Sequence, residues 1–395
     1  MSWRIEAAVE IMRERVAGER NISSPAILYD LDIIERNTLR AIEVAGGAEH
    51  LWPHVKSHKS ESIIRMQMRM GIKRFKCATI AEAEMTAGTG AEAVVLAYPL
   101  VGPNIRRFAE LITKFPECTF YCIGDDLEVI NLIDRELAEY GVRTKLLLDV
   151  NLGMNRTGVN PERAVSLMER LNSCRALTLA GFHCYDGHRH EKDYGERLRC
   201  VENSAADIRK LIQAYEAMND AQTEYYPTDA DRKKRLNEPL VIVGGSPSFP
   251  CYAELLQGDN VFYSPGTVFI YDAGYQAGYP DLPYEPAACV LTRVVSHPAP
   301  GVFTIDCGYK AVSAEQEIPG ILPSLPHAEV MFQSEEHWTW HMQPGYEEER
   351  PDIGTVLYVI PWHVCPTTAL YDEIVTVRNG RISGTIKVTA RGRRL

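Results

Sequence analysis

The sequence predicts an α/β domain followed by a β domain: a (β/α)8 TIM-type barrel and then a mostly antiparallel β unit. Two observations carry this prediction. From about residue 25 to 265, short apolar runs alternate with amphipathic segments of helical period, the pattern of parallel strands joined by crossover helices. From residue 266 to 395, strand-like runs follow each other closely, which is typical of antiparallel pairing. We therefore place the barrel at 25–265 and the β domain at 266–395.

The first region supplies eight candidate strands, the number that closes a parallel barrel. A doubly wound open sheet is the competing architecture, and the strand count favours the barrel. The candidate strands are Ala26–Tyr29, Trp52–Lys56, Arg74–Ala78, Ala93–Ala97, Thr119–Ile123, Thr144–Val150, Leu179–Cys184 and Leu240–Val243.

The second region supplies five further candidate strands and one hairpin turn. Asn379-Gly380 is the dipeptide that two-residue hairpin loops favour. Between the predicted barrel strands, the polar stretch Asn219–Glu238 is interpreted as a surface insertion. The expected strands are Ala288–Val295, Val302–Asp306, Thr355–Ile360, Glu373–Arg378 and Arg381–Val388.

Composition limits the class of partner. Apolar residues make up 45% and charged residues 24% of the 395 residues, which is ordinary for a globular protein. The formal net charge of −11 argues against nucleic acid or an anionic membrane as the main ligand. No apolar run approaches the roughly 18 residues of a membrane span, and the N-terminus lacks a secretory pattern. With ten scattered cysteines interpreted as reduced thiols, we expect a cytoplasmic protein with a small-molecule substrate.

The densest cluster of chemistry-bearing side chains is Pro-His-Val-Lys-Ser-His-Lys at 53–59. If Trp52–His58 is a strand, then His54, Lys56 and His58 face one side, because side chains alternate along a strand. Inside a barrel, desolvation lowers the pKa of a lysine toward the value that a Schiff-base nucleophile needs. The alternative interpretation is a solvated basic strand end.

Four loops at predicted strand ends carry further polar or small residues. Arg156 follows the strand that ends near Val150, and the segment 181–188 ends another strand with Tyr185, Asp186 and His188. In a barrel, functional side chains collect at these carboxyl ends. The small-residue loops 243–248 and 264–267 are suited to binding a phosphate through backbone N–H groups.

His363 and Cys365 form a His-x-Cys pair at the end of a predicted strand. An imidazole and a thiolate together suit Zn²⁺, and two protein ligands would leave positions open for water or substrate. The alternative for an isolated pair of this kind is ordinary packing.

These motifs occur in an order that resembles the D-threonine aldolase / D-serine dehydratase family, over roughly residues 22–395. These are fold-type III pyridoxal-phosphate enzymes related to alanine racemase. The segments that carry the resemblance are Pro53–Lys59, Asp149–Val159, Gly181–Gly187, Gly244–Ser248, Pro265–Asp272, Asp306–Lys310, Glu335–His337 and His363–Asp372.

The resemblance implies a role for each candidate residue. Lys56 would form the Schiff base with pyridoxal 5'-phosphate, Arg156 would face the phenolic oxygen of the cofactor, and Tyr185 would contact its ring. The phosphate would be held by Gly245, Ser246, Gly266 and Thr267. His363 and Cys365 would hold a divalent metal, Zn²⁺ or Mn²⁺, in the β domain. The resemblance also implies that residues 1–24 pack with the β domain and that the protein is a homodimer.

Two reactions on a D-3-hydroxy-amino acid follow from the resemblance. Retro-aldol cleavage gives glycine and an aldehyde, and β-elimination gives a 2-oxo acid and ammonia. Dehydratases of the family carry His-x-Cys, whereas Tyr185 and the C-terminal run 372–392 resemble the aldolases, which we favour. Asp186 stands where aldolases often carry histidine. His188, His190 or a metal-bound water could serve as the base for the hydroxyl proton instead. The candidate catalytic residues are Lys56, His54, His188 and His190. An amino-acid racemase and a non-catalytic pyridoxal-phosphate carrier are the more distant alternatives.

Overall fold

The computed structural model describes residues 16–171, 173–223 and 238–393. Most of the expected insertion Asn219–Glu238, and residues 1–15 of the expected N-terminal segment, lie outside these residues. In the described chain the α-helices are α1 (Leu31–Ala45), α2 (Glu61–Arg69), α3 (Ile80–Gly88), α4 (Pro103–Lys114), α5 (Leu127–Glu139), α6 (Pro161–Leu171), α7 (Tyr194–Thr223), α8 (Phe249–Leu255), α9 (Ala273–Gly278) and α10 (Val364–Thr368).

The strands form two sheets. In chain order they are β1 (Ala26–Asp30), β2 (Arg74–Cys77), β3 (Ala93–Leu96), β4 (Thr119–Gly124), β5 (Thr144–Asp149), β6 (Leu177–Cys184), β7 (Leu240–Val243), β8 (Val261–Tyr263), β9 (Ala288–Ser296), β10 (Val302–Ile305), β11 (Gly320–Ile321), β12 (Ala328–Gln333), β13 (Trp338–Met342), β14 (Val356–Pro361), β15 (Glu373–Arg378) and β16 (Arg381–Lys387).

The first sheet is the predicted parallel barrel, with strands β2 to β8 in sequence order. Its eighth position is taken by the short segment 51–54. Leu51 forms a parallel bridge with Tyr263 of β8, and His54 forms one with Lys76 of β2. The ring therefore closes with seven strands and one short segment instead of eight strands.

Aromatic and aliphatic side chains fill the barrel interior. Trp52 meets Tyr121 and Phe262 edge to face, with ring centroids 5.6 and 5.4 Å apart, a favourable arrangement for aromatic rings. Its indole nitrogen donates to the Phe75 carbonyl at 2.6 Å, so the polar group of this buried ring is satisfied. The interior core comprises Trp52, Ala93, Val95, Tyr121, Ile123, Leu147, Ile242 and Phe262.

The expected strand Trp52–Lys56, which the period-two argument extended to His58, is wrong: only Leu51 and His54 form isolated bridges in this segment. A 3₁₀-helix spans Val55–Ser57, so the period-two argument that put His54, Lys56 and His58 on one face does not apply. His58 is buried, and its Nδ1 accepts a hydrogen bond from the Ser60 backbone at 3.1 Å. The backbone here is satisfied by local hydrogen bonds within a turn, so it does not pair as a strand.

Ala26–Tyr29 was expected in the barrel and instead belongs to the second sheet. There β1 pairs antiparallel with β9 and parallel with β15. The order of this sheet is β12-β13-β10-β9-β1-β15-β16, and β14 adds to β9 and β11 to β14. Apart from the β1–β15 pair its ladders are antiparallel, as predicted. An apolar run without alternation carries no information about which sheet it joins.

Two compact units follow from these pairings. One holds the barrel, with residues 42–56 and the described part of 64–266; the other holds the second sheet, with residues 16–41, 57–63 and 267–391. The barrel unit thus begins at residue 42, not at 25. The hairpin turn is confirmed, since Arg378 pairs with Arg381 around Asn379-Gly380. Strands β8, β11, β12 and β13 were not predicted.

No described helix is long and apolar enough to cross a bilayer. All ten cysteines lie in the described residues, and none of them forms a disulfide.

Candidate active site

Three cationic side chains converge on one tyrosine ring in the barrel unit. Tyr185 follows β6 directly, and its ring centroid lies 4.9 Å from Cζ of Arg156, 5.5 Å from Nζ of Lys56 and 5.4 Å from Nζ of Lys76. The 3₁₀-turn carries Lys56, the loop after β5 carries Arg156, and β2 carries Lys76. The carboxyl ends of parallel strands meet at one end of a barrel, where functional side chains collect. The structure therefore brings Lys56, Arg156 and Tyr185 together.

Lys76 is a member of this cluster that sequence reasoning missed. Its partner in the ladder is Val95, a residue of the interior core, so Lys76 also faces the interior. Only 2% of the residue is exposed. Burial, followed by the charges of Lys56 and Arg156, lowers the pKa of Lys76 to about 7, although Asp149 and Asp186 act in the opposite direction. The available signal was a lysine between two apolar residues of a predicted interior strand.

A buried carboxylate–imidazole pair lies on the same interior face. Asp149 ends β5, His183 lies beside it on β6, and Oδ1 of Asp149 is 2.7 Å from Nδ1 of His183. Burial, the largest influence, opposes ionisation of Asp149, but the bonds from His183 and Thr157 and the charge of Arg156 hold its pKa below the usual value. Burial also lowers the pKa of His183. Its Nε2 is buried and has no hydrogen-bond partner among the described residues.

A bulge in β6 directs His183 toward the interior. Leu146 and Leu147 of β5 pair with Leu179 and Gly181, so β6 carries one extra residue between them. Gly181 has φ +145°, and a Cβ there would lie 1.9 Å from the Leu240 carbonyl oxygen. Only glycine fits so close an approach of two backbones. The bulge resets the alternation, so that His183 shares a face with Asp149.

The loop after β7 is built as a cradle against Tyr185. A Cβ on Gly245 would lie 3.0 Å from Cε2 of Tyr185. The Gly245 N–H donates to Ser248 Oγ at 3.0 Å, and Ser248 Oγ donates to Asp186 Oδ1 at 2.6 Å. The neighbouring loop joins it, because the Gly266 N–H lies 3.3 Å from Ser246 Oγ. The structure thus brings together Gly245, Ser246 and Gly266 of the predicted phosphate-binding residues.

The predicted histidines have different surroundings. His54 is buried, and its Nδ1 accepts the backbone N–H of Lys56 at 3.3 Å. His188 is half-buried, and desolvation with the charge of Arg189 lowers its pKa. His190 is exposed. Asp186, in contrast, is 1% exposed and holds Ser248, so its place in the chain serves the loop.

The second unit holds the other predicted pair. His363 caps the N-terminus of α10, and Cys365 lies in the first turn of this helix. Burial disfavours the charged imidazole of His363, but Cys365, Asp272 and Glu315 together raise its pKa to about 9. Its Nδ1 lies 2.5 Å from Glu315 Oε1. The thiol in turn lies 3.3 Å from Ser57 Oγ and 3.5 Å from Thr267 Oγ1. Thr267, predicted with the phosphate residues, thus has its hydroxyl beside Cys365.

A buried aspartate fixes this turn. Asp272 accepts the Val364 N–H at 3.0 Å and the Tyr275 N–H at 2.9 Å. Burial raises its pKa to about 6, although these two bonds oppose the rise. The carboxylate of Asp272 thereby orients the backbone between His363 and Cys365. Neither Asp272 nor Glu315 was predicted from the sequence.

The donor set at this turn fits a metal ion with two protein ligands. An imidazole oriented by a carboxylate on one ring nitrogen, next to a thiol, is the arrangement that metal-binding histidines use. Among the residues that the structure describes, no group of three or more His, Cys, Asp and Glu side chains is placed to hold a metal. The remaining positions would therefore fall to water or substrate.

Comparison with known families matches both regions of the chain. The model of the alanine racemase N-terminal domain matches residues 29–226, half of the chain, and the model of the putative serine dehydratase domain matches residues 287–377. The barrel, its site and the second sheet therefore define an alanine-racemase-like enzyme.

Three related enzymes match this chain over most of its length. The chain is 26% identical over 388 residues to D-threonine aldolase of Arthrobacter sp., with 94% of this chain and 93% of the relative covered. It is 26% identical over 391 residues to 3-hydroxy-D-aspartate aldolase of Paracoccus denitrificans (strain Pd 1222), covering 95% and 94%. Identity to D-threo-3-hydroxyaspartate dehydratase of Delftia sp. (strain HT23) is 22% over 379 residues, covering 89% and 93%.

Solved structures of two such enzymes share the fold of this chain. D-threonine aldolase from Filomicrobium marinum matches with a TM-score of 0.82 at 27% identity, covering 95% of this chain and 98% of that one. A cysteine-to-alanine variant of D-threo-3-hydroxyaspartate dehydratase, described as metal-free, shares the fold with a TM-score of 0.77 at 22% identity, covering 93% and 98%. The protein belongs to the D-threonine aldolase / D-serine dehydratase family, whose members named here are lyases.

Proposed function

We propose that the protein is a pyridoxal-phosphate- and divalent-metal-dependent lyase that cleaves D-3-hydroxy-amino acids to glycine and an aldehyde. The observation that carries this proposal is the convergence of Lys56, Lys76 and Arg156 on Tyr185 in the barrel unit. Lys76 is buried, Lys56 is half-buried and Arg156 is exposed, and three cationic side chains around one ring favour an anionic ligand, above all beside the buried ammonium. Pyridoxal phosphate, which is anionic, supplies an electron sink for a carbanion at the substrate Cα when it is bound.

The residues of the barrel unit divide the task of holding this cofactor. Lys56 binds its aldehyde carbon, Arg156 faces its phenolic oxygen and Tyr185 contacts its ring. Gly245, Ser246 and Gly266 hold the phosphate, and the missing Cβ of Gly245 keeps the backbone near Tyr185. Thr267, which was predicted with the phosphate residues, belongs to the other unit, where its hydroxyl lies beside Cys365. The unpartnered Nε2 of His183 is a further polar group available to the ligand.

The second unit supplies the metal ligands in this proposal. His363 and Cys365 would hold Zn²⁺ or Mn²⁺, with Glu315 orienting the imidazole and Asp272 orienting the turn. A divalent ion there would act as a Lewis acid on the substrate 3-hydroxyl. In this proposal the half-buried His188 or the exposed His190 would remove the hydroxyl proton.

A dehydratase that forms a 2-oxo acid and ammonia is the second candidate. It is favoured by Cys365 beside His363. Two structures of D-threo-3-hydroxyaspartate dehydratase carry alanine at a histidine and at a cysteine two positions later, and the cysteine variant is the metal-free one. The spacing equals that of His363 and Cys365. The aldolase is favoured by the closer likeness to D-threonine aldolases in sequence and structure.

A product assay tests the proposal and separates the two candidates. The purified protein is loaded with pyridoxal phosphate and Zn²⁺ or Mn²⁺, then given D-threonine, D-serine, D-3-phenylserine or D-3-hydroxyaspartate. Glycine with an aldehyde is the expected result, and ammonia with a 2-oxo acid would establish the dehydratase instead. Racemised amino acid without either product would contradict both and favour a racemase, and absence of any turnover would favour a non-catalytic carrier.

Borohydride reduction tests the cofactor assignment separately. In the wild type, reduction is expected to fix pyridoxal phosphate to the peptide that contains Lys56, as read by mass spectrometry. Lys56→Ala is expected to lose both the label and the activity. A label on any other lysine of the wild type would overturn the assignment.

A further inference from the structure

Cationic side chains outnumber carboxylates around Tyr185 in the barrel unit. Lys56, Lys76 and Arg156 surround Tyr185, and two carboxylates lie near enough to act on Lys76. One oxygen of each carboxylate has a partner, since Asp149 Oδ1 pairs with His183 at 2.7 Å and Asp186 Oδ1 accepts from Ser248 at 2.6 Å. The two Oδ2 atoms have no hydrogen-bond partner among the described residues. Lys76 itself is not part of any ion pair between described residues.

A lysine that is 2% exposed and unpaired is costly, because a buried ammonium loses its hydration without compensation. Its position is not adjustable, since the Lys76 backbone is tied into the barrel. The Lys76 N–H donates to the Pro53 carbonyl at 2.8 Å, and Lys76 forms the bridge with His54 that closes the ring. Lys76 is therefore held beside Lys56 by the fold itself.

We propose that Lys76 is a second cofactor-holding residue, whose ammonium group binds an anionic oxygen of pyridoxal phosphate together with Arg156. This proposal rests on the proposed function, because it assigns Lys76 a role toward the same cofactor. An anion between the cations would remove the charge imbalance and give Lys76 the partner that the protein alone does not provide.

Cofactor binding is expected to change the protonation of Lys76. The groups that act on Lys76 are Lys56 and Arg156, which disfavour its charged form, and Asp149 and Asp186, which favour it; His183 also lies within its field. Together with burial they set the pKa of Lys76 at about 7. Near neutral pH a fraction of the Lys76 side chains is then uncharged in the free protein. Since an anion favours the charged form, cofactor binding draws a proton onto Lys76.

Calorimetry measures this proton directly. Pyridoxal phosphate is titrated into cofactor-free protein at pH 7 in buffers of different ionisation enthalpy, and the buffer dependence gives the number of protons taken up. Lys76→Met is expected to bind the cofactor about tenfold or more weakly and to take up fewer protons than the wild type. The cofactor and Lys56 contribute their own protons in both proteins, so the difference isolates Lys76.

Two further variants keep the result interpretable. Lys76→Arg retains a cation that does not titrate, so it is expected to keep most of the affinity while showing the same reduction in proton uptake. Lys145→Met is the matched control, because Lys145 lies 5.3 Å from the Tyr121 ring but is exposed. It is expected to match the wild type in both measurements.

The outcomes separate this proposal from the function on which it rests. A wild type that binds no pyridoxal phosphate refutes the proposed function. A wild type that binds it, with Lys76→Met unchanged in affinity and proton uptake, overturns the role of Lys76 alone. That role is also overturned if the proton difference arises only when an amino acid is added to the loaded protein, because Lys76 would then serve the substrate.

Discussion

At the scale of single residues, substitution of Asp149 measures how much the buried Asp149–His183 pair contributes to stability. Asp149→Asn removes a charge-assisted bond in a site where Asp149 is 3% exposed, so we expect a loss of about 1.5–3 kcal/mol in the free energy of unfolding at pH 7. The folded pKa of Asp149 is depressed, so this contribution is present above the unfolded pKa of about 4 and is lost as pH falls through the folded value.

Urea unfolding at pH 7 and at lower pH measures this effect. Asp207→Asn is the control, because Asp207 pairs with Lys210 in solvent and its loss is expected to cost less than about 0.5 kcal/mol. A penalty for Asp149→Asn that stayed constant down to pH 3 would show that the charge of Asp149 contributes nothing.

The residues of the candidate active site differ in how far they can be predicted from the sequence. Lys56, Arg156 and Tyr185 were predictable because each stands in a motif with an unusual composition for a strand end. Lys76 and His183 were not singled out, because their significance depends on burial and on neighbours that are distant in the sequence, such as Arg156 for Lys76 and Asp149 for His183. A single lysine in a strand pattern is equally compatible with an exposed edge.

At the scale of elements, the bulge in β6 is the feature on which the pocket depends. Gly181→Ala places a Cβ 1.9 Å from the Leu240 carbonyl oxygen, so β6 and β7 must separate or shift. We expect a loss of about 2 kcal/mol or more in stability, together with weaker pyridoxal-phosphate binding, because His183 and Tyr185 follow the bulge.

Gly384→Ala is a closely matched control for this change. Gly384 has the same φ of +145°, but the atom nearest to its added Cβ is Thr376 Oγ1 at 4.0 Å. It therefore carries the backbone strain without the collision. Equal losses in the two variants, measured by thermal unfolding and cofactor titration, would mean that strain alone accounts for the effect and that the bulge does not set the pocket.

Elements were predictable where the pattern was long and regular. The strands that became β7 and β15 match their predicted bounds, and the Asn379-Gly380 turn formed because its residues tolerate the required backbone. The segment 52–58 failed because a short apolar run with histidines satisfies either a strand or a turn. The run 26–29 failed because pairing partners, here β9 and β15, are a property of the whole chain.

At the scale of the whole molecule, each of the two units supplies residues for a different group that the proposed reaction needs. The barrel unit holds the cofactor residues and the other unit holds His363 and Cys365, so removal of either group is expected to abolish turnover while leaving the other group bound. A racemase of the same architecture would need no metal. Dependence on metal is therefore the property that distinguishes the proposed lyase from that alternative.

Chelation followed by reconstitution tests this dependence. After treatment with EDTA, the loaded protein is expected to lose at least about 90% of its lyase activity while its pyridoxal-phosphate absorbance is retained, and Zn²⁺ or Mn²⁺ is expected to restore the activity.

Cys365→Ser is expected to weaken metal binding about tenfold or more, because thiolate is the softer and stronger ligand for Zn²⁺. Cys174→Ser is the control, since Cys174 is also a partly exposed cysteine and lies in the barrel unit. Activity that survives complete removal of metal, as measured by elemental analysis, would refute the metal assignment of His363 and Cys365 and would leave the cofactor site of the barrel unit standing on its own evidence.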